Sequence, residues 1–134
     1  MLLTIYSRQR LTKSMFDTNF NKLSAETTVP FNININHALT DGGHLKVALA
    51  IKGGTDETPF TCEFLTEALF EITQKAKDEQ IKKAVFTEAA PLMYAVVDEY
   101  FKDLCRKALL PIGDLPRMNF EDFHKNSLKE QTAN

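Results

Sequence analysis

The side chains able to do chemistry are few here, and their spacing gives them little to do. The histidines are His37, His44 and His124. His37 and His44 flank a turn, Thr40 to His44, and are expected to face each other across a hairpin. A zinc centre needs three or four ligands in suitable geometry, and no third is indicated beside them. They are read as solvated hairpin histidines, and no metal is expected. Cys62 and Cys105 would act as nucleophiles only beside a partnered base. Nothing in the sequence specifies one, so both are read as reduced core thiols. Glu67, Glu71, Asp98, Glu99 and Asp103 are spread as carboxylates on wet faces are, with no spacing that marks an acid/base pair. Gly42-Gly43 and Gly53-Gly54 lack the following helix and lysine of a phosphate loop. No catalytic residue and no cofactor is expected, and the chain is not read as an enzyme.

The elements that would position these residues are strands first and helices second. Phe31-Asn32-Ile33-Asn34-Ile35-Asn36 alternates with period two, so one strand face is apolar and the other carries three asparagines. Asp41-Gly42-Gly43 is turn chemistry, because glycine accepts positive φ. Leu45, Val47, Leu49 and Ile51 then alternate with polar or small residues in an antiparallel second strand. After Gly53-Gly54, a run from Thr58 to about Ile72 puts Phe60, Cys62, Phe64, Thr66, Ala68 and Phe70 on one face. One long strand with a bulge near its middle fits that parity. A helix over Glu67 to Lys77 is the competing reading. Leu11 to Phe16 is a further strand expected at the sheet edge.

From Asp78 the period becomes helical. A short helix is expected over Asp78 to Phe86. A longer one starts with Pro91 at its first position, where the missing N–H costs nothing. On it Leu92, Val96, Tyr100, Leu104 and Ala108 form one stripe, and Met93, Val97, Phe101 and Cys105 form its neighbour. So wide an arc packs against more than a narrow seam. Asp98 with Lys102, and Asp103 with Lys107, are i,i+4 ion pairs. Pro111 to Pro116 is expected to stop this helix. Asn119 caps a last short helix with Asp122 at the capping-box position, and Phe120 and Phe123 face inward.

With 134 residues and 43% hydrophobic side chains, the chain is long enough for one core. It reads as a single domain, with an ordered core over about 8–124 and a frayed polar tail over about 125–134. A formal charge of -2 leaves no basic excess to grip nucleic acid or an anionic bilayer. No segment reads as a signal peptide or membrane span, so the expected place of work is the compartment of synthesis. The surplus is aromatic: 10 Phe against 5 Gly and no Trp. The bland reading of Phe60, Cys62 and Phe64 is core; the sharper one is an apolar groove or a subunit interface.

Phe60-Thr-Cys-Glu-Phe64 followed by Phe70-Glu-Ile72 resembles the central strand of SecB, the bacterial protein-export chaperone. The order of motifs continues. Asp98-Glu99 stands where that family has Arg-Glu, Leu109-Leu-Pro111 resembles its helix exit, and Leu115-Pro-Arg-Met-Asn-Phe120 resembles its approach to the last helix. The likeness spans about residues 29 to 124, with a weaker tie at Leu11 to Phe16. It implies an α+β fold: a four-stranded antiparallel sheet, C-terminal helices on one side, and assembly as a dimer of dimers. It implies an ATP-independent, cytoplasmic bacterial holdase whose partners are unfolded preproteins and its own copies. By the resemblance, Phe60, Cys62, Phe64 and Thr66 line a client-binding groove or subunit interface. Leu92, Val96, Tyr100 and Leu104 lie on the oligomer-interface helix, and Glu63 is a contact for the SecA motor. Relatives of SecB also include solitary forms dedicated to one partner, such as the antitoxin of a toxin–antitoxin system, and this is the alternative.

Overall fold

The computed structural model describes residues 1–23, 28–110 and 114–132. Its elements are β1 (Leu3–Thr18), β2 (Phe31–Leu39), β3 (Leu45–Gly53), β4 (Phe60–Ile72), α1 (Asp78–Ala84), α2 (Ala90–Lys107) and α3 (Phe120–Thr132). The strands form one antiparallel sheet in the order β1-β4-β3-β2. The α+β architecture expected from the sequence is therefore the one observed. Strand alternation sends Val47, Leu49 and Ile51 of β3, and Phe60, Phe64 and Phe70 of β4, to the helix side, where all are fully buried.

Phe101 of α2 sits at the centre of that side. Its ring packs 5.5 Å from Phe60, 6.0 Å from Phe31, 6.3 Å from Phe16 and 6.4 Å from Phe64. Edge-to-face contacts of this kind add to what area burial contributes. Phe31 reaches the cluster because its cross-strand partner is Gly53. A Cβ on Gly53 would stand 2.5 Å from the Phe31 ring, so glycine leaves the place the ring occupies.

The bulge lies elsewhere than in the third run. β4 pairs with β3 in unbroken register from Phe70 to Cys62, and strand rather than helix wins over Glu67–Ile72. Three register shifts fall on β1 instead, where 16 residues span the 13 of β4. A bulge in a central strand would disturb two ladders, whereas on an edge strand it disturbs one. Bulges also twist an edge away from unwanted pairing. The first strand is longer than the expected Leu11–Phe16 and begins at Leu3. There Glu88 accepts both the Leu2 and the Leu3 amide N–H, at 3.2 and 3.1 Å.

Two expected helices run as one. Between α1 and α2 the residues Val85–Ala89 form a π turn in which the Ala90 N–H reaches the Val85 carbonyl. Pro91 has no N–H and its ring crowds the preceding turn. A widened turn accommodates that without ending the helix. The far end also differs from expectation. Helix α2 stops at Lys107, before the prolines, with Leu109 in a left-handed conformation (φ 55°) and the Leu110 N–H on the Cys105 carbonyl. Pro111, Ile112 and Gly113 of the expected stop lie outside the described residues. The Asn119 side chain accepts the Asp122 N–H at 3.1 Å, as its capping role requires. Helix α3 then continues to Thr132, so residues expected to fray are helical as far as that point.

Phe101→Ala should cost about 3–5 kcal/mol, the range for removing a buried Phe whose cavity cannot collapse. Urea unfolding followed by circular dichroism reads this directly. A loss under about 1 kcal/mol would mean that the aromatic cluster does not hold helix to sheet.

Candidate functional site

The four residues expected to line a groove or an interface lie in this chain's own core. Phe60 and Phe64 have no exposed surface, and Cys62 and Thr66 are 3% exposed. Helix α2 covers them, so within one chain they present nothing to a client or a second subunit. The correction has a physical cause: the Met93, Val97, Phe101, Cys105 stripe is buried and takes up that face of the sheet. Thr66 is satisfied by the Leu49 carbonyl at 3.4 Å. Burial pushes the Cys62 thiol up to about 12 and the Cys105 thiol up to about 11. Both are protonated at neutral pH and carry none of the thiolate a nucleophile needs.

The neighbouring stripe of α2 faces outward. Leu92 is 48% exposed, Val96 55% and Tyr100 37%, while Leu104 is half-buried against the core. Two hydrogen bonds hold this stripe beside β1: Gln9 Nε2 donates to the Met93 carbonyl at 3.1 Å, and the Ser14 and Tyr100 hydroxyls meet at 3.0 Å. Ile5 and Leu11 are also exposed and pair with the helix-side residues Phe70 and Thr66. Helix and edge strand thus share one apolar border. Phe64 reaches that border from beneath, with its ring edge-to-face against Tyr100 at 5.6 Å.

On its other flank α2 is crossed by the strap that leads into α3. The Leu115 N–H donates to Asp98 Oδ1 at 2.8 Å, Lys102 pairs with Asp114 at 3.3 Å, and the Tyr94 hydroxyl donates to the Pro116 carbonyl. Helix and strap enclose a cleft of about 540 Å³ lined by Pro91, Tyr94, Ala95, Met118 and Phe120, with Asp98 and Glu121 at its rim. Sequence reasoning did not find this cleft, because it depends on where the strap crosses. The sole sequence signal was the inward-facing reading of Phe120. The expected i,i+4 pairs are present, Asp98–Lys102 at 3.4 Å and Asp103–Lys107 at 2.9 Å.

Glu63 lies on the opposite face of the sheet, paired with Lys13 at 3.1 Å. Its charge is locally neutralised. His37 and His44 do not meet: His44 stacks on Tyr6 at 3.7 Å and approaches Glu71, while His37 pairs in register with Val47 on the helix side. Among the described residues no three His, Cys, Asp or Glu side chains converge as a metal site would require. Among them, too, no helix is long and apolar enough to cross a membrane.

No protein-family model matches this sequence, and no curated protein matches it. The fold does have a solved counterpart, the Mycobacterium tuberculosis Rv1957 SecB-like chaperone in complex with a ChAD peptide from the Rv1956 HigA1 antitoxin. The two are 16% identical with a TM-score of 0.68, over 87% of this chain and 88% of that one. The fold resemblance seen in the sequence is therefore present in three dimensions. A protein of unknown function from Streptococcus agalactiae is 9% identical, with a TM-score of 0.49 over 87% of this chain and 97% of that one.

His124 makes a local test of how α3 is docked. Its ring lies against Phe86 at 5.4 Å, and burial, with Lys82 and Lys83 nearby, lowers its pKa below the ordinary histidine value. His37 is lowered in the same sense by burial and Lys82. The unfolded chain therefore takes up protons before the folded one, and stability falls as pH drops below about 6.5. Thermal melts at stepped pH should show a decline that is shallower in His124→Gln. A decline of equal slope in that variant would exclude His124 as a source.

Proposed function

We propose that this chain is an ATP-independent chaperone that holds non-native polypeptide on apolar surface and self-associates through α2. The observation that carries the reading is the exposed Leu92, Val96, Tyr100 stripe beside a bulged edge strand, on a SecB-like sheet-and-helix fold. Water-exposed leucine, valine and tyrosine in one row favour association. A second copy is the natural partner for the helix stripe, in the dimer-of-dimers arrangement that the sequence resemblance implies. The cleft between α2 and the strap suits a client segment, since it is apolar within and polar at its rim. Phe64 contributes from beneath by supporting Tyr100, and Phe60 and Cys62 by holding α2 in place. A cytoplasmic site of action belongs to the same reading.

One observation favours a more dedicated role. The solved counterpart holds a peptide from an antitoxin. A chain of this fold that serves one partner needs no delivery to SecA. The Lys13–Glu63 pair supports this form, because it removes the free carboxylate through which SecA delivery was expected. Dedicated antitoxin binding is thus the second reading, and export delivery the weaker branch of the first.

Light scattering after size exclusion, with and without a denatured preprotein, tests both levels. A mass near four subunits that rises on adding the client is the expected result for a general holdase. Val96→Asp should lower the mass, because it places a charge in the contact. Ala95→Glu, at the mouth of the cleft, should weaken client capture without changing the mass. An oligomer that ignores denatured clients points to the dedicated reading. A stable monomer that ignores them would defeat the proposal.

A further inference from the structure

The sheet face away from the helices carries a feature that client holding does not use. Between Ile5 and Arg10, β1 shifts register twice against β4. There Arg8 and Arg10, two residues apart, stand at the rim of one cavity of about 370 Å³. Lys46 of β3 and Glu67 of β4 share that rim, and Ser7, Ala68 and Leu69 complete it. Three cations from two strands therefore converge on one carboxylate. Glu67 is already engaged by Lys46 at 3.3 Å. Among the described residues neither guanidinium has an ion pair or a side-chain hydrogen bond. Two neighbouring arginines repel each other, and an anion seated between them relieves that repulsion. A guanidinium also presents paired donors that match the two oxygens of a carboxylate.

The surroundings decide which anion fits. Charges of both signs lie along the same face: Lys13 pairs with Glu63 at 3.1 Å and Lys52 is the cross-strand partner of Glu63, with Asp17 beyond them, and Glu71 lies on the other side. Such a rim of mixed sign offers no continuous basic track to an extended polyanion, and the formal charge of -2 adds none. A single acidic side chain in an otherwise neutral polypeptide can pass between these charges. Exposed Tyr6, stacked on His44, and exposed Met15 offer such a segment apolar contact on either side. We infer that the cavity at the β1 bulge binds a single glutamate or aspartate carboxylate of an otherwise neutral polypeptide segment through Arg8 and Arg10, on the face of the sheet opposite the helices. The site is separate from the α2 stripe and its cleft, so a partner docked there leaves the client surface open.

Fluorescence anisotropy with a labelled peptide that carries one glutamate among neutral residues tests this on the intact protein, with the glutamine-for-glutamate peptide as control. The wild-type chain should bind the acidic peptide, ignore the control, and lose affinity as salt rises. The double variant Arg8→Ala, Arg10→Ala should bind about tenfold more weakly, as loss of a charge-assisted contact implies. Its suppression of client aggregation should be unchanged, which separates this inference from the chaperone reading. Equal binding of the two peptides would overturn it, and so would wild-type affinity in the double variant. Tighter binding of heparin than of the peptide would also overturn it, revealing an unselective anion patch. Both arginines are exposed, so the variant should fold, and the salt and control-peptide measurements need only the wild-type chain.

Discussion

Everything in this structure depends on how one helix covers one sheet. Phe101 enters the aromatic row made by Phe60 and Phe64, with Phe16 and Phe31 closing from the two edge strands. That contact removes the helix-side face from water and fixes the axis of α2. It also fixes which stripe of α2 is spent on the core, and therefore which is left over. A helix with a wide apolar arc on a sheet only four strands wide cannot bury its whole arc within one chain. The exposed Leu92, Val96 and Tyr100 are the geometric remainder of a well-packed core, and that remainder is what the proposed function uses.

The two edges of the sheet are managed differently. β2 pairs with β3 without a register shift and turns its asparagines outward. β1 carries all three irregularities, is clamped at its start by Glu88, and lies against α2 through Gln9 and Ser14. Irregularity on one edge bears on both faces of the sheet. It keeps the apolar border beside α2 from becoming an open template for strand addition. It also lies beside the cavity on the opposite face at whose rim Arg8 and Arg10 stand. One edge strand thus borders a surface on each side of the sheet.

Much of this was legible in the sequence because alternation is a strong signal where one face is buried. The strands over Phe31–Leu39, Leu45–Gly53 and Phe60–Ile72, the glycine turns, the Asn119 cap and both helical ion pairs follow from local rules. The bulge falls on β1 rather than on β4; the pattern of β4 alone says nothing about which partner carries extra residues. Pro91 read as a helix start, since a π turn that accommodates it has no composition of its own. The polar run from Lys125 reads as frayed, although Phe120, Phe123 and His124, just before it, anchor the helix against Tyr94 and Phe86.

By itself the sequence determined the antiparallel sheet, the aromatic face of β4 and the double stripe of the long helix. Those are properties of period, composition and spacing, and each is set within a few neighbouring residues. Only the tertiary structure decided which stripe of α2 is buried, that Phe60, Cys62, Phe64 and Thr66 are core, and that Glu63 is neutralised by Lys13. It alone placed the strap over Tyr94 and the two arginines at one cavity. These depend on contacts between residues far apart in the chain, where the angle of a helix or the register of an edge strand selects among faces that the sequence leaves equivalent.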